Sequence, residues 1–165
     1  MKILFNILFL ICCSAVSKAQ NLPEFKDKPS YLEVKTGKLI ELEKSQYNTM
    51  AKAKGLFKAE GGFVLNGASS QVSLERQKEL KFIVRIADSI DPTSIFDLAK
   101  FTIRGNQRIF IITTAKATST STSLEKIPYE VKKIKNEYYY LIVKDLPSGE
   151  YFFGSNEFMF AFSIK

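Results

Sequence analysis

An all-β fold, an antiparallel sandwich of about ten short strands with a single helical turn near Pro92, is predicted by three features of the chain. From Tyr31 onward the apolar residues alternate with a period of two almost to the end. Turn residues recur between these runs: Thr36-Gly37, Asn66-Gly67, Gly105-Asn106-Gln107, Asn136 and Asp145–Gly149. Aromatic residues are abundant, with 14 Phe and 7 Tyr in 165 residues, and each buried ring removes about 150–250 Å² from water.

The elements follow in order. Met1-Lys2, the apolar Ile3–Cys13 run broken by Asn6, and Ser17 and Ala19 at positions −3 and −1 of a cut form the pattern of a secretory signal peptide over residues 1–19. The apolar run is shorter than the roughly 20 residues needed to span a bilayer, which disfavours an uncleaved anchor. Ile11 before Cys12 is a poor lipid-attachment context. Cleavage takes away Lys2, Lys18, Cys12 and Cys13, so 165 less 19 leaves 146 residues, and +7 less two lysines leaves +5. That length fits one domain, burying roughly 70% of its extended surface.

Residues 20–30 carry two Pro and mixed charge and read as a flexible lead-in to a single domain over 31–165. Tyr31–Lys35 and Lys38–Glu43 make the first hairpin. Gln46–Lys58 admits a helix through its Ala and Lys content, but neighbouring strands and Gly55 favour an extended segment. Gly61-Gly62 opens Phe63–Leu65, and Gln71–Leu74 follows the Asn66-Gly67 turn. Phe82, Val84 and Ile86 line one face of the next strand. Asp91-Pro92 suits a helix start, placing one turn over Pro92–Leu98. Lys100–Arg104 and Arg108–Thr114 form a hairpin, and Thr118–Ser123 reads as a polar loop. Tyr129–Lys135 pairs with Glu137–Val143. After a turn, Glu150–Phe153 and Glu157–Ile164 close the chain, with Phe158, Phe160, Phe162 and Ile164 on one face.

Composition excludes several chemistries. There is no His in the chain and no Cys after residue 19, so imidazole triads, His-ligated metals, thiolate sites and disulfides have no residues to build them. No cofactor is expected. Glycoside hydrolysis needs only paired carboxylates, and Asp88, Asp91, Asp97, Asp145, Glu150 and Glu157 are the candidates. No motif fixes a pair among them, and several lie where turns favour Asp. Asp88-Ser89-Ile90-Asp91 lacks the oxygen series and glycine of a calcium loop. Ser70 or Ser73 with a lysine would make a nucleophile only by coincidence of abundant residues.

Two surface features point to binding. Tyr138-Tyr139-Tyr140 sends Tyr138 and Tyr140 to one side of a strand and Tyr139 to the other. An exposed pair of Tyr stacks on sugar rings or anchors a protein, whereas the unbroken Leu141–Val143 continuation argues for burial of both sides. Lys132, Lys133 and Lys135 are the densest cationic run, and Arg104 and Arg108 bracket a hairpin tip. Such charge suits an anionic glycan, a lipid headgroup or an acidic protein face. No aromatic-interleaved nucleic-acid motif accompanies it.

Leu146-Pro147-Ser148-Gly149-Glu150-Tyr151 resembles the tyrosine corner of immunoglobulin-like and fibronectin-III-like sandwiches. With Tyr31-Leu32, Gly37–Ile40, Leu42-Glu43, Phe82–Arg85 and Asp91-Pro92, the order of features is similar to a group of uncharacterised secreted bacterial proteins. The resemblance implies an immunoglobulin-like sandwich. In it Leu146, Pro147, Gly149 and Tyr151 are structural, and the last two strands pair. It brings no activity with it. The expected protein is thus a secreted or periplasmic, non-catalytic binding or structural module of the bacterial envelope, with an envelope protein or glycan as partner. A carbohydrate-binding or carbohydrate-active domain and an accessory subunit of an envelope complex are the alternatives.

Overall fold

The computed structural model describes residues 21–53, 58–122 and 125–165; the signal-peptide assignment lies outside them. The first half runs β1 (Ser30–Glu33), β2 (Lys38–Glu41), β3 (Glu43–Gln46), β4 (Asn48–Ala53), β5 (Lys58–Asn66), β6 (Ser73–Leu74) and β7 (Glu79–Arg85). A helical turn α1 (Pro92–Ile95) leads into β8 (Asp97–Lys100), β9 (Thr102–Ile103), β10 (Gln107–Lys116) and β11 (Ser119–Thr122). The last four are β12 (Glu130–Lys135), β13 (Tyr138–Lys144), β14 (Gly149–Gly154) and β15 (Phe158–Ile164).

These strands form three sheets. The first has the order β12-β13-β7-β1-β2, the second β3-β15-β14-β8, and the third β11-β10-β5-β4. Strand pairing is antiparallel throughout except for the two-residue β6, which runs parallel to β15. The expected sandwich is the first sheet on the second. Tyr31, Phe82, Val84, Leu141 and Val143 of one meet Leu98, Tyr151, Phe153, Phe160 and Phe162 of the other. The Phe82 ring lies 5.0 Å from Phe153 and 5.1 Å from Phe162, in the tilted and edge-on arrangements that ring quadrupoles favour.

A third layer was not expected. Phe152, Ala99, Met159 and Ala161 turn from the second sheet towards Leu65 and Phe110 of the third, with Phe101 between them. The centre of the second sheet is therefore buried on both faces, and every β15 residue after Phe158 is buried, while Lys44 and Gln46 of the edge strand β3 stay exposed. That explains why Phe-Met-Phe-Ala-Phe alternates large and small side chains without alternating polarity.

Several elements depart from expectation, each for a local reason. The helical turn ends at Ile95, because the Phe96 cap is already extended and Asp97–Lys100 pairs with β14. Its start is as read, with the Asp91 carboxylate accepting the Thr93 N–H at 2.9 Å. Ser119–Thr122 pairs with β10, contrary to the loop reading. Its β-branched threonines suit a pleated ribbon even where nothing apolar is buried. Gly61 and Gly62 lie inside β5 rather than before it, opposite the bulge at Ile111–Thr113 of β10. Gln46–Lys58 is extended on both sides of 54–57, which are not described. Fifteen strands replace the expected ten or so among the described residues, partly because two-residue pieces such as β6 and β9 escape pattern reading.

The Leu146–Tyr151 segment turns the chain into β14. Tyr151 Oη donates to the Pro147 carbonyl at 2.7 Å, Leu146 is buried, and β14 pairs with β15 so that Phe152 faces Ala161 and Phe153 faces Phe160. Residues 21–29, read as a lead-in, lie across the outer side of the first sheet. Asn21 Nδ2 donates to the Gly37 carbonyl, Arg85 to the Glu24 carbonyl, and the Asp27 N–H to the Arg85 carbonyl. Leu32 and Ile83 face outward there yet are buried, as are Pro23 and Pro29 of the crossing segment. Among the described residues no helix is long and apolar enough to cross a membrane.

Candidate functional site

The outer face of the first sheet brings together more of the expected surface residues than any other region described. Phe82, Val84, Tyr139 and Leu141 point into the core. Strand alternation then sends Lys81, Ile83 and Arg85 of β7 outward with Tyr138, Tyr140 and Ile142 of β13. Register completes the arrangement. Tyr138 stands between Arg85 and Lys135, Tyr140 between Ile83 and Lys132, and Ile142 between Lys81 and Glu130. A bulge at Lys133–Lys135 of β12 is what brings Lys135, rather than Lys133, opposite Tyr138.

Tyr138 and Tyr140 are half-buried, whereas Tyr139 is buried in the core with its hydroxyl 3.3 Å from Asp88 Oδ1. The triplet thus splits as strand geometry requires, and its outward pair is the accessible one. The Arg85 guanidinium lies 5.7 Å and Lys135 Nζ 5.2 Å from the Tyr138 ring centre, both within cation–π range.

Charge on this face is mixed, with a positive excess at β12 and β13. Glu137 is held by Lys26 at 2.7 Å and by Arg85 at 2.8 Å, and these two cations draw its carboxyl below the usual carboxylate range. Lys81 pairs with Glu79 and Lys144 with Glu130. Lys132 and Lys135 have no ion-pair partner among the described residues. On β7, β12, β13 and the turn joining the last two, Lys81, Arg85, Lys132, Lys135 and Lys144 therefore outnumber Glu79, Glu130 and Glu137 by two, and the crossing segment adds Lys26 and Lys28 against Glu24 and Asp27. Lys81 and Arg85 were absent from the sequence reading of the site. Their outward direction was implicit in Phe82, Val84 and Ile86 facing inward, but their neighbourhood with Tyr138 depends on β7 pairing with β13.

The other expected binding element is dismantled. Arg108 is 2% exposed. It clasps Glu43 through two nitrogens, at 2.9 and 2.7 Å, and donates to the Asn66 and Gly67 carbonyls. Arg104 reaches the buried Glu60 at 2.6 Å. The bracketed turn is thus an internal clasp, and Arg108 offers nothing to a ligand.

The carboxylates weighed as hydrolytic pairs have separate structural employments. Asp88 accepts from the Glu137 N–H, Lys133 and Tyr139, in that order the donors that lower its pKa, and Asp91 caps α1. Asp97 pairs with Lys126, and Glu150 accepts from the Ser70 N–H and the Ser69 and Ser163 hydroxyls. Asp145 sits at φ 53 in the turn before the corner, and Glu157 is exposed in the turn before β15. Ser70 Oγ donates to the Ala161 carbonyl and accepts the Val72 N–H. Among the described residues no group of three or more Asp, Glu, His or Cys is placed to hold a metal ion. No family model matches the chain, and no curated protein or solved structure matches it either.

Proposed function

We propose that the chain is an exported, non-catalytic binding module of the bacterial cell envelope that holds an anionic glycan on the outer face of its first sheet. The observation that carries this reading is the pair Tyr138 and Tyr140, half-buried on the outer face and flanked by Lys135 and Lys132, which pair with no carboxylate among the described residues. Aromatic rings give sugar rings an apolar surface to stack on, and the excess cations attract carboxylate or phosphate substituents. The export pattern of residues 1–19 and the corner-bearing, immunoglobulin-like resemblance support the compartment. Support for a non-catalytic role comes from the structural partners of the carboxylates weighed as hydrolytic pairs: Asp88 holds the Glu137 N–H and Lys133, Asp91 caps α1, Asp97 pairs with Lys126, and Glu150 accepts from Ser69, Ser70 and Ser163.

Affinity electrophoresis of the chain from Gln20 onward, through gels containing an acidic or a neutral polysaccharide, tests the site. Retardation by the acidic gel is expected, weakening as salt rises. In a Tyr140→Ala, Lys132→Ala, Lys135→Ala variant the retardation falls about tenfold or more. Equal retardation by both gels, or an unaffected variant, refutes the assignment. Fusing residues 1–19 to a reporter tests export, and a reporter retained in the cytoplasm removes the envelope from the proposal.

A further inference from the structure

On the opposite side of the molecule a cleft of about 330 Å³ opens between the second and third sheets. Its size lies at the lower end of the roughly 300–1,000 Å³ of ligand pockets. Four rings wall it: Tyr47 beyond β3, Phe63 of β5, Phe110 of β10 and Phe152 of β14. Ala99 and Gly154 leave the room between them. At Gly154 a Cβ would stand 2.7 Å from Tyr47 Oη, so even alanine would disturb this wall. Tyr47 is fixed in turn, its hydroxyl donating to the Ser155 carbonyl at 2.7 Å and its ring 4.5 Å from Phe63.

Asp97 is the only charged residue lining the cleft among those described. Its carboxylate pairs through Oδ1 with Lys126 at 2.7 Å, and Lys126 is more than half exposed and does not line the cleft. Burial first, then the Asp97 charge, pushes the Tyr47 phenol up, which places that negative charge within electrostatic reach of the aromatic wall. Ring faces and a carboxylate are both negative surfaces, and Lys126, the cation paired with Asp97, approaches from outside the cleft. One carboxylate without further acidic neighbours is too few oxygens for a hard metal ion. An ammonium group carried on a compact apolar body satisfies both the rings and the charge.

We infer that this cleft is a binding site for a small organic cation, an amine or quaternary ammonium, held by Asp97 within the Tyr47, Phe63, Phe110 and Phe152 walls. It is independent of the glycan face, from which the second sheet and the core separate it. The probe is choline, compared with its uncharged isostere 3,3-dimethylbutan-1-ol and with glucose, titrated into methyl-labelled protein while the Ile95 and Ala99 methyl resonances are followed. Choline is expected to shift these methyls saturably, with little response to the isostere. Asp97→Asn, at a partly exposed position whose ion pair lies at the surface, should retain the remaining spectrum and weaken choline about tenfold. Any of four results overturns the inference: an isostere that binds as well as choline, glucose shifting these methyls instead, Asp97→Asn without effect, or no response to any probe. Loss of polysaccharide retardation with choline binding intact would sink only the glycan reading.

Discussion

Arg108 shows how one side chain can tie layers together, because its strand belongs to the third sheet while Glu43 belongs to the second. Removing one partner of a buried ion pair leaves the other desolvated and unpaired, at a cost of about 3–5 kcal/mol. Arg108→Met should therefore lower the denaturant midpoint sharply, and adding Glu43→Leu should restore much of the loss. Restoration would fail if the arginine acted only through its carbonyl contacts. Burial pulls the Glu43 carboxyl upward, but the Arg108 guanidinium, through hydrogen bonds and charge, and the Gln71 N–H outweigh it and leave it below 4.5. A depressed carboxyl stabilises the fold above its unfolded pKa and loses that contribution as pH falls through the folded one. Thermal stability should thus decline below about pH 4.5, and less steeply in Glu43→Gln. Tyr129 has the opposite sense. Burial, then the charges of Asp97 and Asp91, raise its phenol, whose hydroxyl donates to the Phe96 carbonyl at 2.6 Å. Its contribution is present below the ordinary phenol value of 10.0 and is lost as pH rises beyond it. Tyr129→Phe should accordingly flatten the alkaline end of the stability profile. None of these partnerships was legible in the chain, since Glu43 and Arg108 are 65 residues apart and meet only after two sheets have stacked.

At the scale of elements, the glycine pair of β5 separates two kinds of requirement. A Cβ on Gly62 would stand 2.0 Å from the Phe110 carbonyl oxygen, a backbone atom that cannot rotate aside, whereas at Gly61 the nearest atoms are 3.9 Å away. Gly62→Ala must shift the β5–β10 register around the bulge and should destabilise by about 1–3 kcal/mol, as overpacking does. Gly61→Ala should stay within about 1 kcal/mol of the parent. Matched losses in chemical denaturation would contradict this reading of the bulge. Sequence pattern located this strand but placed the glycines before it, because a pattern of side chains carries no signal where the side chain is missing. The same limit hid β11, whose Ser-Thr ribbon has no apolar face. Where alternation was clean, as in Phe82, Val84 and Ile86, the facing was readable but the partners β1 and β13 were not, and the pairing of the last two strands came from the resemblance at Leu146–Tyr151. The strand period alone put Tyr138 and Tyr140 on one side and Tyr139 on the other; that the Tyr139 side is the buried one, and that Lys81 and Arg85 neighbour the outward pair, required the strand order and the packing of the sheets.

For the whole molecule, the decisive feature is that the central strands of the second sheet, β14 and β15, have no outer face. Met159 and Ala161 on one side of β15, and Phe160 and Phe162 on the other, are all buried, so this strand belongs to both cores. A two-layer expectation missed the third sheet because Ala and Met read as weakly apolar filler, although small residues are what a middle layer needs to admit a second neighbour. Burial then falls off outward. Five of the six β4 residues are exposed, and β11 pairs only with the far end of β10. Amides in such edges open by local fluctuation, whereas those in a doubly covered strand exchange only when the domain unfolds. Native-state hydrogen exchange should find the β14–β15 amides protected with the full free energy of unfolding and sensitive to denaturant. The β4 and β11 amides should exchange orders of magnitude faster with little denaturant dependence. Mutations that weaken the Phe110–Phe152 contact, where the rings lie 5.1 Å apart edge to face, should lower protection in β5 and β10 before they lower it in β7 and β13. Uniform loss across all three sheets would mean that the layers fold as one inseparable unit, with no stability gradient from the middle layer to the third sheet.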